Sequence, residues 1–189
     1  LVPPKGIDTF VDAIARVADS FDDVTAIIAG DGSIPARSQR VIDAHPDAFE
    51  VHNYFVPNEE VKRFFGRSQV VAVPYREQDG TKGHSGVLST AFSFGKPVVA
   101  STAGVFPEYV GDSGAGRVVP PEDPDALADA LADVLGDPDR REAMGRRSLD
   151  MAARLSWDRI GAVHADLYES LVGADTERSS AEFPSIPSK

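Results

Sequence analysis

Apolar residues recur along this chain in two periods. From Ile7 to Ala18 they fall at positions 7, 10, 11, 14, 17 and 18, which is one face of an amphipathic helix. Short Val/Ile/Ala-rich runs bounded by Gly, Pro or Asp, at residues 24–29, 49–54, 70–74, 98–101 and 116–119, predict buried strands instead. Helical patterns lie between them over 35–44, 59–65 and 87–94. Each strand-to-strand step runs about 20 to 25 residues, enough for a right-handed crossover. The pattern therefore predicts an α/β fold: a Rossmann-like, doubly wound parallel sheet with helices on both faces. After Val119 only helices follow, over 124–135 behind an Asp123 cap, 139–154 behind Asp137-Pro138, and 157–171 behind Ser156. Residues 173–189 lose all periodicity, which predicts one domain over 1–172 and a disordered tail. Leu1 to Gly6 reads as the loop after a strand, running straight into the first helix. The sheet is thus expected to lack its first strand, and the chain to be a piece of a longer protein.

Composition narrows the chemistry. The 189 residues are 42% apolar and include no Cys, which removes thiolate metal sites, redox pairs and cysteine nucleophiles. No apolar run approaches the length of a membrane span and no signal-peptide pattern opens the chain, so a cytoplasmic location is expected. Nineteen Lys and Arg stand against thirty Asp and Glu, a net charge of −11, which argues against nucleic acid as a partner. Any anionic ligand must be held locally. The acidic surface, with five Lys against fourteen Arg, predicts adaptation to high salt, an ordinary acidic protein being the alternative.

In open α/β sheets ligands bind beyond the carboxyl ends of the strands, so the loops there carry the candidates. Gly30-Asp31-Gly32 follows the first strand; its glycines either let the backbone approach a ligand or simply form a turn. Tyr54-Phe55-Val56 follows the second, where the aromatic pair either flanks a base or joins the core, and Asn58 is the expected cap of the next helix. The long polar loop from Tyr75 to Val87 is the most informative. Its small residues Ser85, Gly86 and Val87 open a helix, and free N–H groups plus the helix dipole make an anion site there. Glu77, Lys82 and His84 lie within this loop, which otherwise reads as a flexible surface connection. Lys5, at the matching end of the absent first strand, adds a cation to the same site or is solvated. His45, His52, His84 and His164 show no metal-ligand spacing.

The order of these segments is that of a known family. Pro3-Pro4-Lys5-Gly6, Ala29-Gly30-Asp31-Gly32, Phe55-Val56-Pro57-Asn58-Glu59-Glu60, Ser85-Gly86-Val87, Phe94-Gly95-Lys96-Pro97 and Gly116-Arg117-Val118-Val119-Pro120-Pro121-Glu122-Asp123-Pro124 resemble the C-terminal, donor-binding domain of the retaining GT-B glycosyltransferases of family 4, or group 1. The resemblance implies a nucleoside diphosphate sugar as donor, bound with the loop 54–57 along the nucleobase, Lys5 on the diphosphate as the catalytic cation, and the backbone at Ser85, Gly86 and Val87 on the phosphates. It implies no metal and no other cofactor. It also implies an acceptor held by an N-terminal domain outside this chain, so that the fragment alone is inactive, and peripheral membrane association of the whole enzyme. The family's paired glutamates fall on Lys82 and Thr90, neither a carboxylate, so that either Glu77 or Asp79 is the acid that reaches in, or Lys82 adds positive charge beside the phosphates. Their loss keeps open a second reading, a non-catalytic nucleotide-binding or interaction module on the same fold. A nucleotide-sugar epimerase of the same architecture fits the motifs less well.

Overall fold

The computed structural model describes residues 1–21, 23–77 and 85–179, with 172–179 as backbone alone. Five strands form: β1 (Ala26–Ala29), β2 (Phe49–His52), β3 (Val71–Val73), β4 (Val98–Ser101) and β5 (Gly116–Val119), all within the predicted runs. Helix α1 (Ile7–Ala18) precedes β1. Helices α2 (Ala36–Ala44), α3 (Asn58–Arg67) and α4 (Gly86–Ser93) follow β1, β2 and β3, and α5 (Pro124–Gly136), α6 (Pro138–Arg154) and α7 (Trp157–Ser179) follow β5.

Every strand pairing is parallel, so the carboxyl ends of β1 and β2 share one rim and those of β3, β4 and β5 share one rim. The sheet is in two pieces: β2 pairs with β1, and β3, β4 and β5 pair in that order. This division follows from the strand order. A doubly wound sheet runs 3-2-1-4-5-6; β2 and β1 fit its positions 3 and 2, β3 to β5 fit 4 to 6, and no strand described here stands at position 1. Residues 1–6 cross between the two pieces at the rim. The Ser33 N–H donates to the Leu1 carbonyl beyond β1, and the Arg76 N–H donates to the Pro4 carbonyl beyond β3.

All four residues of β4 are buried, as expected for a strand covered on both faces. On one face Val11, Ile14 and Val17 of α1 pack with Leu127, Leu131 and Val134 of α5 around Val99 and Val119. Burying each such side chain contributes about 1.5–3 kcal/mol. Leu88, Ala91 and Phe92 of α4 are buried as well, and so are Phe106, at the cap of a π-type turn over Pro107–Asp112 that no periodicity announced, and Val110 within that turn.

The caps follow the sequence at α5, where Asp123 Oδ1 accepts from the Ala126 N–H at 2.9 Å, and at α6, where Asp137 Oδ1 accepts from the Arg140 N–H at 2.9 Å. They do not at α3. Pro57, with extended backbone, takes the cap position and Asn58 becomes the first helical residue, while Glu59 and Glu60 in the first turn complement the helix dipole.

The chain divides into two compact units, 1–152 and 153–189. In the second, α7 continues past Leu171 to Ser179, and residues 180–189 of the tail expected to be disordered lie outside the described residues. No helix among the described residues is long and apolar enough to cross a membrane.

Candidate functional site

The rim brings Lys5 and the start of α4 together through a residue that sequence reasoning passed over, Tyr75. Lys5 follows the crossing segment, and Gly6 behind it has φ +67°, a left-handed backbone. A Cβ on Gly6 would stand 2.0 Å from the Pro74 carbonyl oxygen, so only glycine lets the Lys5 turn sit against the end of β3. The Lys5 ammonium lies 3.8 Å above the centre of the Tyr75 ring. The Tyr75 hydroxyl is 3.0 Å from Ser85 Oγ, and the ring meets Phe106 edge to face at 5.3 Å. From beneath, buried Ser101 at the end of β4 donates through Oγ to the Tyr75 carbonyl at 2.6 Å.

Ser85 is itself 4% exposed and caps α4, accepting the Leu88 N–H at 3.4 Å. Among the described residues the Gly86 and Val87 N–H groups have no acceptor, as the first turn of a helix leaves them. Both residues are exposed, and a Cβ built on Gly86 meets nothing within 4 Å. The fold places no steric demand for glycine there; the space beside it is open. One turn on, Thr90 donates through Oγ1 to the Gly86 carbonyl at 2.8 Å.

Charge around this point is sorted. Arg76, next to Tyr75, pairs with Asp8 in the first turn of α1 and lies 3.2 Å from Glu122 through Nε, without the alignment of a hydrogen bond. Glu122 has φ +56°, a left-handed conformation costing a non-glycine residue about 1–2 kcal/mol. Lys5, by contrast, has no carboxylate partner among the described residues. The rim thus presents an unpaired ammonium beside two unpaired N–H groups, a combination suited to an oxyanion.

The loop after β2 is built differently. Tyr54 is 40% exposed and Phe55 83% exposed, so the core alternative does not hold for either. Val56 is half-buried. The Tyr54 hydroxyl donates to Glu60 Oε2 at 2.6 Å, which raises its pKa above the ordinary tyrosine value. The same hydroxyl lies 3.3 Å from His52 Nδ1, and His52 Nε2 meets Glu50 Oε1 at 2.7 Å. Arg67 holds Glu50 with two bonds, of 3.0 and 2.7 Å. That fork, with His52 second, lowers the Glu50 carboxyl to about 2.

Gly30 and Gly32 stand against the start of the chain. A Cβ on Gly32 would stand 2.1 Å from the Leu1 carbonyl oxygen, and one on Gly30 would meet the Leu1 side chain at 3.6 Å. The room these glycines make is filled by the crossing segment. Glu77 is exposed at the end of the described part of its loop, while Asp79, Lys82 and His84 lie outside the described residues. No group of three His, Asp or Glu suited to a metal ion comes together among the described residues. Sequence reasoning also missed Arg76, Asp8 and Glu122. Arg76 carried a signal in its place next to a strand end, whereas the left-handed backbone of Glu122 carried none.

The fold is that of a doubly wound parallel α/β domain with its open polar groups on one rim. The family model for glycosyl transferases group 1 matches residues 1–137, and the chain belongs to that family. It is 32% identical over 185 residues to a GDP-mannose-dependent alpha-(1-6)-phosphatidylinositol monomannoside mannosyltransferase of Mycobacterium tuberculosis, covering 94% of this chain and 47% of the relative. It is 35% identical over 117 residues to a D-inositol 3-phosphate glycosyltransferase of Corynebacterium kroppenstedtii, 61% of this chain and 25% of that one. The chain therefore spans about half or less of the length of these relatives. Among solved structures it resembles the C-terminal domain of a glycosyl transferase group 1 family protein from Francisella tularensis, with a TM-score of 0.71 at 18% identity over 82% of this chain and 81% of that one. It also resembles Anabaena HepE in complex with UDP, with a TM-score of 0.73 at 20% identity over 92% and 46% of the two chains.

Proposed function

We propose that this chain is the donor-binding half of a retaining glycosyltransferase that moves a sugar from a nucleoside diphosphate to an acceptor. The observation that carries the reading is the Lys5 ammonium, free of carboxylates among the described residues and set on the Tyr75 ring beside the capped start of α4. In this scheme the diphosphate lies between Lys5 and the Gly86 and Val87 N–H groups. As the sugar's bond to the diphosphate breaks, negative charge grows on the leaving oxygens, and donors already fixed around them stabilise that charge without reorganising. Lys5 is the catalytic cation. Metal is not required, because the ammonium and the helix terminus supply the positive charge. Tyr54, Phe55 and Val56 border the base, with Thr90 and Glu77 toward the ribose and sugar; Gly30 and, outside the described residues, Lys82 and His84 are the remaining candidate contacts.

The donor to test first is GDP-mannose, because the mycobacterial relative is named for it, with UDP-sugars as the second arm because of HepE. The acceptor is held by a further domain of the whole protein, so the chain by itself turns nothing over. We further propose that this protein is cytoplasmic and that it works at a membrane surface, the latter supported by a relative named as a phosphatidylinositol monomannoside mannosyltransferase. The central strand position between β1 and β3 is filled by sequence of that whole protein. The test is an assay of the intact protein with GDP-mannose and UDP-glucose and a lipid extract as acceptor, following nucleoside diphosphate release and the anomeric configuration of the product by NMR. Release that needs acceptor, with an unchanged anomer, supports the reading. Nucleotide binding without release, with every donor and acceptor tried, favours the non-catalytic module.

A further inference from the structure

Lys5 and Arg76 are two cations at this rim, and among the described residues the acids there are not shared between them. Asp8 stands three residues after Lys5, in the first turn of α1, close enough in sequence to compete for its ammonium. Asp8 is instead held by Arg76, and Arg76 also approaches Glu122. Arg76 reaches them because its own N–H is fastened to the Pro4 carbonyl, immediately before Lys5. Its neighbour Tyr75 offers Lys5 a ring face in place of a carboxylate. Glu122 is kept near Arg76 in a left-handed backbone that no glycine relieves. Two carboxylates thus converge on one guanidinium, and the adjacent ammonium remains without an acid among the described residues.

We infer that Arg76 is a positioning residue that sequesters Asp8 and Glu122, so that Lys5 stays available to a diphosphate. This deepens the donor-site reading and rests on it. The guanidinium is the fitting group for the task. It stays charged at any working pH and its fork can take two carboxylates at once, whereas a second lysine would compete for the ligand as a point charge. With both acids engaged, the guanidinium's charge is spent inside the protein, and the oxyanion meets Lys5 and the α4 terminus alone. Without Arg76, Asp8 and Glu122 would carry net negative charge beside the diphosphate. They would repel it and draw the Lys5 ammonium away from the Tyr75 ring.

The experiment compares GDP and UDP binding by calorimetry in the intact protein and its Arg76→Gln, Arg76→Gln/Asp8→Asn/Glu122→Gln and Asp8→Asn/Glu122→Gln variants, with guanosine and uridine as phosphate-free controls. Arg76→Gln is expected to weaken diphosphate binding about tenfold, as one uncompensated charge pair near a surface does, while leaving nucleoside binding unchanged. Removing the two acids as well is expected to restore affinity to within about threefold of the parent, because the repulsion is gone although the arginine is still absent. Unchanged binding in Arg76→Gln overturns the inference. So does a triple variant that melts like the parent and binds as weakly as Arg76→Gln, since Arg76 would then be contacting the ligand itself. Should Arg76→Gln fail to fold, the Asp8→Asn/Glu122→Gln protein decides: retained or tightened diphosphate binding supports sequestration, and weakened binding overturns it. A parent that binds neither nucleotide but keeps its fold would overturn the donor-site reading and the inference with it, an outcome distinct from the failure of rescue.

Discussion

The two ends of the candidate site are made by opposite means. At the Lys5 end the side chains that matter are anchored from below: Ser101 is buried and holds the Tyr75 carbonyl, Ser85 is buried and caps α4, and Gly6 locks the Lys5 turn against Pro74. At the Tyr54 end the ring of Phe55 stands in solvent and Tyr54 is fixed only by a surface network through Glu60, His52 and Glu50. The difference teaches which half of a ligand each end can specify. A preformed cluster of donors suits a charged group whose shape is constant, such as a diphosphate, whereas an exposed aromatic loop adapts to a variable, flat group and gains its order on contact.

The contrast can be broken most severely at the start of α4. Gly86→Ala puts a methyl group into the open space next to the unpaired N–H groups; it is expected to stabilise the fold by about 0.5–1 kcal/mol, since alanine is the better helix former, while weakening GDP or UDP binding at least about tenfold. Denaturation and calorimetry on one protein check both signs, and a variant that loses stability and affinity together would show that Gly86 serves the fold. Lys5→Ala is expected to cost diphosphate affinity about tenfold and nucleoside affinity nothing, as loss of one charge-assisted bond of about 1.5 kcal/mol requires.

Ser101→Ala tests the anchor under Tyr75. It leaves the Tyr75 carbonyl short of a buried donor and is expected to cost about 1–2 kcal/mol in urea denaturation, with a severalfold loss of diphosphate affinity; equal affinity would mean that Tyr75 holds Lys5 unaided. At the other end, Phe55→Ala is expected to change stability by less than about 0.5 kcal/mol because the ring is solvated, yet to reduce discrimination between GDP and UDP. Unaltered discrimination would remove the loop from the base.

The smallest effect is one of pH. Glu50 carries a pKa lowered from 4.5 to about 2 by Arg67 first and His52 second, so its pairing stabilises the fold above its unfolded value and is lost as pH falls from about 4.5 toward 2. Exposure of the pair to water holds this contribution below about 1 kcal/mol. Comparing the acid limb of the stability curve between parent and Arg67→Gln measures it, and coincident limbs would deny that the fork matters.

Much of this was legible in the sequence because it depends on local pattern. The strand runs, α1 to the residue, and the Asp123 and Asp137 caps follow from periodicity and cap chemistry that act within a few residues. The convergence of Lys5 and Ser85 was legible as well, because parallel strands must deliver their following loops to one rim. What escaped is long-range or conformational. Tyr75 matters through contacts with Lys5, Ser85 and Ser101, each far off in sequence. The use of Gly32 to admit the Leu1 backbone depends on where residues 1–6 cross. Asn58 lost its capping role because Pro57 had the right backbone for it already.

The account turns on where a diphosphate sits, and the most direct test is a crystal structure of the intact protein soaked with GDP and, separately, UDP. The account predicts phosphate oxygens within hydrogen-bonding distance of Lys5 Nζ and of the Gly86 and Val87 N–H groups, with the base against Tyr54 or Phe55 and Arg76 still held by Asp8. A diphosphate bound elsewhere, or one taken by Arg76 with Lys5 turned away, would contradict it.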